Sequence, residues 1–182
     1  MRCRSLVIVA ISALICSSPA SAQTACGPRI KIDYYEDASD YFVIENLSAS
    51  GWTVLEVTID LKGSLGDLIF DTVAGGAGVS GFEPFQGLDG RVRLTGVSGG
   101  EDGGQVISLS FAGFAPGEKS SFSIDLDDRL VQSLNGRSLV AGREISGARA
   151  RARLLAPTGE IVPITAQFDK IATADSGVGG CV

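Results

Sequence analysis

Polar and apolar residues alternate along most of the chain with a period of two. In segment 52–61, Leu55, Val57 and Ile59 fall on one face, while the acidic and threonine side chains between them fall on the other. This pattern is typical of a half-buried β-strand, whose side chains point to opposite faces in turn. The same alternation recurs in seven further segments, namely 29–35, 41–45, 91–97, 106–111, 121–127, 148–155 and 161–168.

Turn-forming residues separate these segments. Glycine, proline, asparagine and aspartate cluster between the alternating stretches, for example at Pro116-Gly117 and Asn135-Gly136. No stretch keeps the 3.6-residue period of a helix over three turns. About eight short strands joined by glycine-rich turns predict an all-β fold, namely an antiparallel β-sandwich of the jelly-roll or immunoglobulin-like type.

The chain has the length of one domain. Its 182 residues fit the usual size of roughly 100–200 residues per domain, and no internal repeat or long linker divides them. We expect the sandwich to occupy residues 23–171. The longest irregular region inside it is 71–90, which contains the glycine-rich run 75–78. Residues 172–182, which are rich in glycine and alanine, are predicted to form a flexible C-terminal tail.

The beginning of the chain has the features of an export signal. Two arginines precede an apolar run at 6–15, and the small residues Ala20 and Ala22 match the pattern that signal peptidase cleaves. The apolar run is too short to span a bilayer of about 30 Å as a helix. Residues 1–22 are therefore predicted to be a signal peptide, and the mature protein is expected to be secreted into the periplasm or the extracellular space.

Cleavage of this leader would leave two cysteines, Cys26 and Cys181. They lie near the two ends of the mature chain, and the termini of a domain are often close together. In an oxidising compartment such a pair predicts one disulfide bond between Cys26 and Cys181. Two free thiols, or bonds between chains, are the alternatives.

Charge and histidine content narrow the chemistry. The chain has 15 lysine and arginine residues against 21 aspartate and glutamate residues, a net charge of −6, and it has no histidine. The absence of histidine excludes triads with an imidazole base, imidazole proton shuttles and histidine-ligated metals. The acidic balance disfavours nucleic acid binding, because phosphate groups are repelled. We expect a protein without enzymatic activity and without a nucleic acid partner.

One acidic motif predicts a calcium site. The alternating strand sends Asp125 and Asp127 to the same face, and Asp128 begins the loop after it, so these three aspartates are predicted metal ligands. Asp71 and Glu83, in the irregular glycine-rich region, are the most available further oxygen ligands. Calcium takes six to eight oxygen ligands, and it would relieve the repulsion between these carboxylates. The alternatives are a solvated acidic strand end and the paired carboxylates of a glycosidase.

A second pattern places arginines along one strand face. In segment 148–155, Arg149, Arg151 and Arg153 alternate with alanine, so they form a stripe on one side of a strand. This stripe could bind a polyanion such as a sulfated or uronic glycan. The alternative is pairing with acidic side chains of a neighbouring strand, where each exposed pair is worth about 0–1 kcal/mol. Trp52 could stack on a sugar ring, although aromatic residues more often fill a sandwich core.

Seven short segments occur in order along the chain, namely FVIEN at 42–46, LGDLIFDT at 65–72, GAGVS at 76–80, FEPF at 82–85, FAPGE at 114–118, SIDLDD at 123–128 and EISGA at 144–148. Together they resemble bacterial secreted proteins of the aggregation factor core family, which are related in name to the core of sponge aggregation factors. The resemblance covers most of the domain. It implies a role in adhesion at the cell surface or in the matrix, often assisted by calcium and directed to carbohydrate, and it supplies no catalytic residues.

Together with this resemblance, the sequence predicts a secreted, non-enzymatic adhesion or matrix-interaction protein with calcium as its candidate cofactor. Its expected partner is a glycan or protein of the cell surface or matrix, or a second copy of itself, and we expect no membrane span. A secreted glycan-binding module, in which aromatic side chains or the arginine stripe contact sugar, is the alternative.

Overall fold

The computed structural model of the protein describes five stretches of the chain, namely residues 27–37, 40–79, 81–88, 91–133 and 135–177. The predicted signal peptide, residues 1–22, lies outside them, and so do Cys26 and Cys181 of the predicted disulfide. Within these stretches, no helix is long and apolar enough to cross a membrane.

Twelve β-strands form the regular structure of the described residues. They are β1 (Ile30–Tyr35), β2 (Tyr41–Asn46), β3 (Thr53–Asp60), β4 (Ile69–Phe70), β5 (Gln86–Gly87), β6 (Arg93–Gly99), β7 (Val106–Phe114), β8 (Lys119–Ser123), β9 (Leu126–Asp127), β10 (Arg149–Leu155), β11 (Ile161–Gln167) and β12 (Thr173–Asp175). One five-stranded sheet has the order β12-β1-β2-β8-β5, and a second has the order β11-β10-β3-β7-β6. A small third sheet pairs β4 with β9.

The two large sheets share one hydrophobic core. Buried side chains from β1, β2 and β8 in one sheet and from β3, β7 and β10 in the other belong to a single cluster. At its centre the rings of Phe42 and Phe122 stack with centroids 5.0 Å apart, and Phe168 meets Phe42 edge-on. The pairings between strands are antiparallel throughout this structure. The predicted all-β antiparallel sandwich is therefore confirmed.

A strand is present in each of the eight segments predicted from alternation, but one segment contains two strands instead of one. Segment 121–127 is not continuous, because β8 ends at Ser123 and the chain passes through Ile124 and Asp125 before β9 begins. The sequence missed β4, β5 and β12. Each of these has only two or three residues, which is too short for a periodic pattern to be recognised.

The prediction that residues 172–182 form a flexible tail is wrong for the first of these residues. β12 pairs with β1 so that Ala174 lies opposite Ile32, and Ala174 is completely buried. The Arg29 guanidinium also forms an ion pair at 2.6 Å with the carboxylate of Asp175. These contacts join residues far apart in the chain, so the local sequence gives no sign of them. Residues 178–182 of the predicted tail lie outside the described part of the chain.

Candidate metal centre

A small antiparallel ladder brings three aspartates together. β4 pairs with β9 so that Phe70 lies opposite Leu126, and both side chains belong to the core. The backbone N–H of Asp71 continues the ladder by donating to the carbonyl of Asp125 at 3.0 Å. Asp71 and Asp125 are therefore opposite one another, and Asp127 follows on the same face because side chains alternate along a strand.

We call Asp71, Asp125 and Asp127 the acidic triad. Carboxylate oxygens of the three residues all lie within 4.8 Å of one another. Asp71 is 2% exposed, Asp127 is completely buried and Asp125 is half-buried. The Oδ2 atom of Asp127 accepts the backbone N–H of Val79 at 2.6 Å, but its Oδ1 atom has no hydrogen-bond partner among the described residues. Leaving a buried carboxylate oxygen without a partner is costly, so this atom is suited to binding a cation.

Burial raises the pKa of every carboxyl in the acidic triad, and repulsion within the triad adds to this for Asp71 and Asp125. The pKa of Asp125 rises from 3.8 to about 7, first through burial and then through repulsion by Asp127 and the other nearby carboxylates. The pKa of Asp71 rises to about 6, again through burial first and repulsion by Asp127 second. Burial also raises the pKa of Asp127. Without a cation, the acidic triad therefore resists carrying its full negative charge at neutral pH.

The glycine-rich loop packs directly against the acidic triad. A β-carbon on Gly78 would overlap the carboxylates of Asp71 and Asp127. Glycine at this position therefore allows the backbone to approach the carboxylates closely. The next residue, Val79, donates its backbone N–H to Asp127. The irregular 71–90 region of the sequence thus supplies one wall of the site.

Asp102, which the sequence analysis did not single out, holds this loop in place. Its carboxylate accepts three backbone N–H groups, from Thr72 at 3.0 Å, Val73 at 3.3 Å and Ala77 at 2.7 Å. The hydrogen bonds from Thr72 and Ala77 are the main cause of a lowered pKa for Asp102, which favours its ionised form. A β-carbon on Gly76 would overlap the same carboxylate. Its partners lie far away in the sequence, and no local motif marks it.

The other two predicted metal ligands lie outside the acidic triad. Glu83 accepts the hydroxyl of Ser123 at 3.0 Å with its side chain. Asp128 is completely buried, and its Oδ1 atom accepts the backbone N–H of Leu130 at 2.9 Å. Asp128 directly follows β9, its Oδ2 atom has no hydrogen-bond partner among the described residues, and its charge adds to the raised pKa of Asp127. Three of the five predicted ligands therefore converge within 4.8 Å, and ligation by Glu83 and Asp128 stays a prediction.

An open groove lies beside the acidic triad and shares Asp125 with it. Its volume is about 560 Å³, and its walls include the carboxylate of Asp40 and the half-exposed apolar side chains of Phe82 and Leu139. Asp40 is 5% exposed, and burial raises its pKa from 3.8 to about 8 although the hydroxyl of Tyr34 donates to it at 2.9 Å. Asp125 is thus the member of the triad that faces open space.

The predicted arginine stripe is present, but its members differ in their partners. Arg149, Arg151 and Arg153 are exposed and the alanines between them are buried, as predicted. Arg153 pairs with Glu56 at 3.4 Å, whereas Arg149 and Arg151 have no hydrogen-bond or ion-pair partner among the described residues. Trp52 packs against the hydrophobic core and is not among the residues that line the groove beside these two arginines.

The chemistry of the acidic triad fits a hard divalent cation. Calcium binds six to eight oxygen atoms, from carboxylates, backbone carbonyls and water, with flexible geometry. The three carboxylates supply most of such a set. Structural zinc sites instead use cysteine and histidine, and the chain has no histidine. Among the residues that the structure describes, the triad is the one group of this kind close enough to share a metal ion.

Comparison with known proteins gives no family for this chain. No family model matches it, and neither does any curated protein or solved structure. Its function is therefore inferred from the acidic triad, the grooves and the exposed faces of its own structure.

Proposed function

We propose that the protein is a secreted, non-enzymatic adhesion or matrix-interaction protein, stabilised by a calcium ion at the acidic triad. The observation that carries this proposal is the convergence of three aspartates within 4.8 Å, one of them completely buried with a carboxylate oxygen that lacks a partner among the described residues. The leader pattern at 1–22 supports export. The resemblance of 42–148 to the aggregation factor core family supports the adhesion role.

Calcium would link three parts of the chain that otherwise repel each other. Asp71 follows β4, Asp125 connects β8 to β9, and Asp127 lies in β9 against the glycine-rich loop. A bound cation would neutralise the carboxylates and remove the cost of holding like charges together. Because Asp125 also lines the open groove, the shape and charge of that surface would depend on calcium.

Isothermal calorimetry and thermal unfolding of the mature protein test the calcium site. We expect wild-type protein to bind calcium and to gain about 2.7 kcal/mol of stability at a concentration of 100 times the dissociation constant. The double variant Asp125→Asn with Asp127→Asn should not bind. In a chelator, however, this variant should be at least as stable as wild type, because the substitutions remove buried repulsion. The order of stability of wild type and variant is therefore expected to differ between calcium and chelator. This change of order distinguishes a metal site from a cluster that is only structural.

The control is a double variant with the same change in charge elsewhere. Asp60→Asn with Asp169→Asn serves, since each residue uses Oδ1 to accept backbone N–H groups, and asparagine keeps that acceptor. It should bind calcium like wild type. If calcium leaves the melting temperature of wild type unchanged, or binds equally to the triad variant, the metal site is wrong.

The adhesion role is tested with beads that carry the mature protein. We expect such beads to cluster with one another, or to be retained on cells or matrix of the source organism, in calcium but not in chelator. Beads with the triad variant should show neither behaviour, and beads with the control variant should resemble wild type. Calcium binding in calorimetry without any adhesion of wild-type beads would refute the adhesion role and leave the metal site in place.

A further inference from the structure

We propose that a second groove, beside Arg149 and Arg151, binds the carboxylates of a uronic acid polysaccharide. This inference names a partner for the proposed adhesion role and takes its biological meaning from that role. Its physical basis is separate, because none of the residues that line this groove belongs to the acidic triad.

The groove is formed by two neighbouring strands and the edge of the other sheet. It has a volume of about 460 Å³ and is lined by Arg149, Arg151, Thr165, Ala166, Gln167 and Asp175. The strands β10 and β11 pair in register, so that Arg149 lies opposite Gln167 and Arg151 lies opposite Thr165. Each arginine therefore has a neutral hydrogen-bonding side chain beside it on the same face.

The two arginines are the unsatisfied charges of this surface. Both are exposed, and neither has a hydrogen-bond or ion-pair partner among the described residues. Arg149 lies opposite Asp60 in the register of β3, but the two side chains form no ion pair. Asp175, the acidic residue of the groove, is held by the guanidinium of Arg29 through contacts at 3.0 and 2.6 Å. The groove therefore offers two free guanidinium groups beside a carboxylate that is already neutralised.

The geometry favours carboxylates on an extended polymer. A guanidinium presents a planar fork of donors that matches a carboxylate with two parallel hydrogen bonds. Arg149 and Arg151 are two residues apart on one strand, which places their β-carbons about 7 Å apart and lets them contact successive anionic groups. Thr165 and Gln167 add a hydroxyl and an amide that can bind sugar hydroxyl groups.

The lining also distinguishes a polysaccharide from other acidic partners. Its one apolar residue is Ala166, which is 8% exposed, whereas the centre of a protein interface usually contains large aromatic or aliphatic anchors. It contains no aromatic ring on which the bases of a single-stranded nucleic acid could stack. The net charge of −6 opposes every polyanion at long range, but salt at physiological strength screens charges beyond about 8 Å. Local contact with the arginines therefore decides the binding.

The test measures binding of hyaluronan, whose carboxylates come from glucuronate, by calorimetry on the mature protein. Neutral dextran is the control polymer. We expect hyaluronan to bind and dextran not to bind. The double variant Arg149→Gln with Arg151→Gln should weaken hyaluronan binding by about tenfold, since two exposed charge-assisted contacts are lost. Both side chains are exposed, so the variant should fold and melt like wild type.

A matched variant removes the same two charges from the same sheet outside the groove. Arg93→Gln with Arg153→Gln serves, because both arginines are exposed and neither lines the groove. It should change hyaluronan binding by less than twofold. The triad variant Asp125→Asn with Asp127→Asn should bind hyaluronan like wild type, so failure of the metal site and failure of this groove are distinguishable.

Four results would overturn the inference. The first is the absence of hyaluronan binding by wild type at low salt. The second is an equal loss of binding in the two arginine variants, which would indicate attraction by charge alone. The third concerns sedimentation velocity without polymer. If the wild type self-associates there and the variant Arg149→Gln with Arg151→Gln does not, the groove binds a second copy of the protein instead. Binding of heparin but not of hyaluronan would likewise refute the preference for carboxylates.

Discussion

The acidic triad and the arginine stripe arise from similar sequence patterns and reach opposite environments. In both, charged residues alternate with apolar ones, and in both the apolar residues are buried. The carboxylates of the triad converge within 4.8 Å against a glycine-rich loop. The guanidinium groups of the stripe point outward along the seven residues of β10, and one of them pairs with Glu56.

This difference shows what determines whether a charge needs a partner. Water solvates an exposed guanidinium, so Arg149 and Arg151 are stable without a counter-ion, and an anionic ligand is an addition to the fold. Water does not solvate the buried carboxylate of Asp127, so its charge has to be compensated by hydrogen-bond donors, by a cation or by a proton. Alternation in the sequence predicts which face a charge occupies, but burial decides what that charge requires.

The largest expected effect is a pH dependence of the free energy of unfolding that arises from Asp40, in the groove beside the acidic triad. The pKa of Asp40 is raised to about 8 chiefly by burial, and repulsion by Asp125 and Glu36 adds to this, while hydrogen bonds from Tyr34 and Leu126 oppose it. A carboxyl whose pKa is higher in the folded state stabilises the fold at low pH, and this contribution is lost as the pH rises. In chelator, stability should fall by about 1.4 kcal/mol per pH unit between about pH 5 and 7 from this group alone.

Asp40→Asn tests this assignment, because it removes the titrating group. Denaturant unfolding in chelator at several pH values should show a slope that is smaller by about 1.4 kcal/mol per pH unit. Arg153→Gln, on the exposed arginine stripe, should leave the slope as in wild type. Identical slopes for wild type and Asp40→Asn would mean that this buried carboxyl does not titrate in the window.

The second effect concerns the close approach of the glycine-rich loop to the carboxylates. Gly78→Ala should reduce the free energy of unfolding by about 1–3 kcal/mol, because the added methyl group overlaps Asp71 and Asp127 and forces them apart. It should also weaken calcium binding. Gly87→Ala is the control, since a β-carbon there has no neighbour within 4 Å. Chemical denaturation with and without calcium measures both effects, and equal results for the two variants would contradict the close packing.

The sequence predicts a feature when the residues that form it are close together along the chain, and it misses a feature that depends on residues far apart. Alternation predicted the faces of β10 and the burial of Val57 and Ile59 in β3, but not the bulge that buries Val54 and leaves Leu55 half-buried. It also placed Asp125 and Asp127 on one side. It could not show that Asp71 lies opposite Asp125, because that contact depends on the two-residue strands β4 and β9. Asp102 acts through backbone groups about 30 residues away, and nothing near it in the sequence indicates this.

A substitution of Asp102 therefore tests how firmly the glycine-rich loop must be held for the acidic triad to bind calcium. In Asp102→Asn one acceptor oxygen becomes a donor, so the hydrogen bond from Ala77 to Oδ2 or those from Thr72 and Val73 to Oδ1 are lost. The loop would then hold Gly78 less firmly against the acidic triad. Because groups that position metal ligands typically contribute 10–100-fold to affinity, we expect calcium affinity to fall about tenfold. Asp169→Asn, which keeps its acceptor Oδ1, should have no such effect in calorimetry.

The smallest expected effect is the coupling between Arg153 and Glu56, the ion pair of the arginine stripe. Both side chains are partly exposed and 3.4 Å apart, so water and salt screen their attraction. A double-mutant cycle with Arg153→Ala and Glu56→Ala should give a favourable coupling of at most about 1 kcal/mol, and high salt should remove it. The same cycle on Asp71 and Asp125, each changed to asparagine in chelator, should give a coupling of the opposite sign, because those two groups repel. A coupling for Arg153 and Glu56 that is large and independent of salt would contradict the contrast between an exposed stripe and a buried triad, because the stripe would then behave like a buried network.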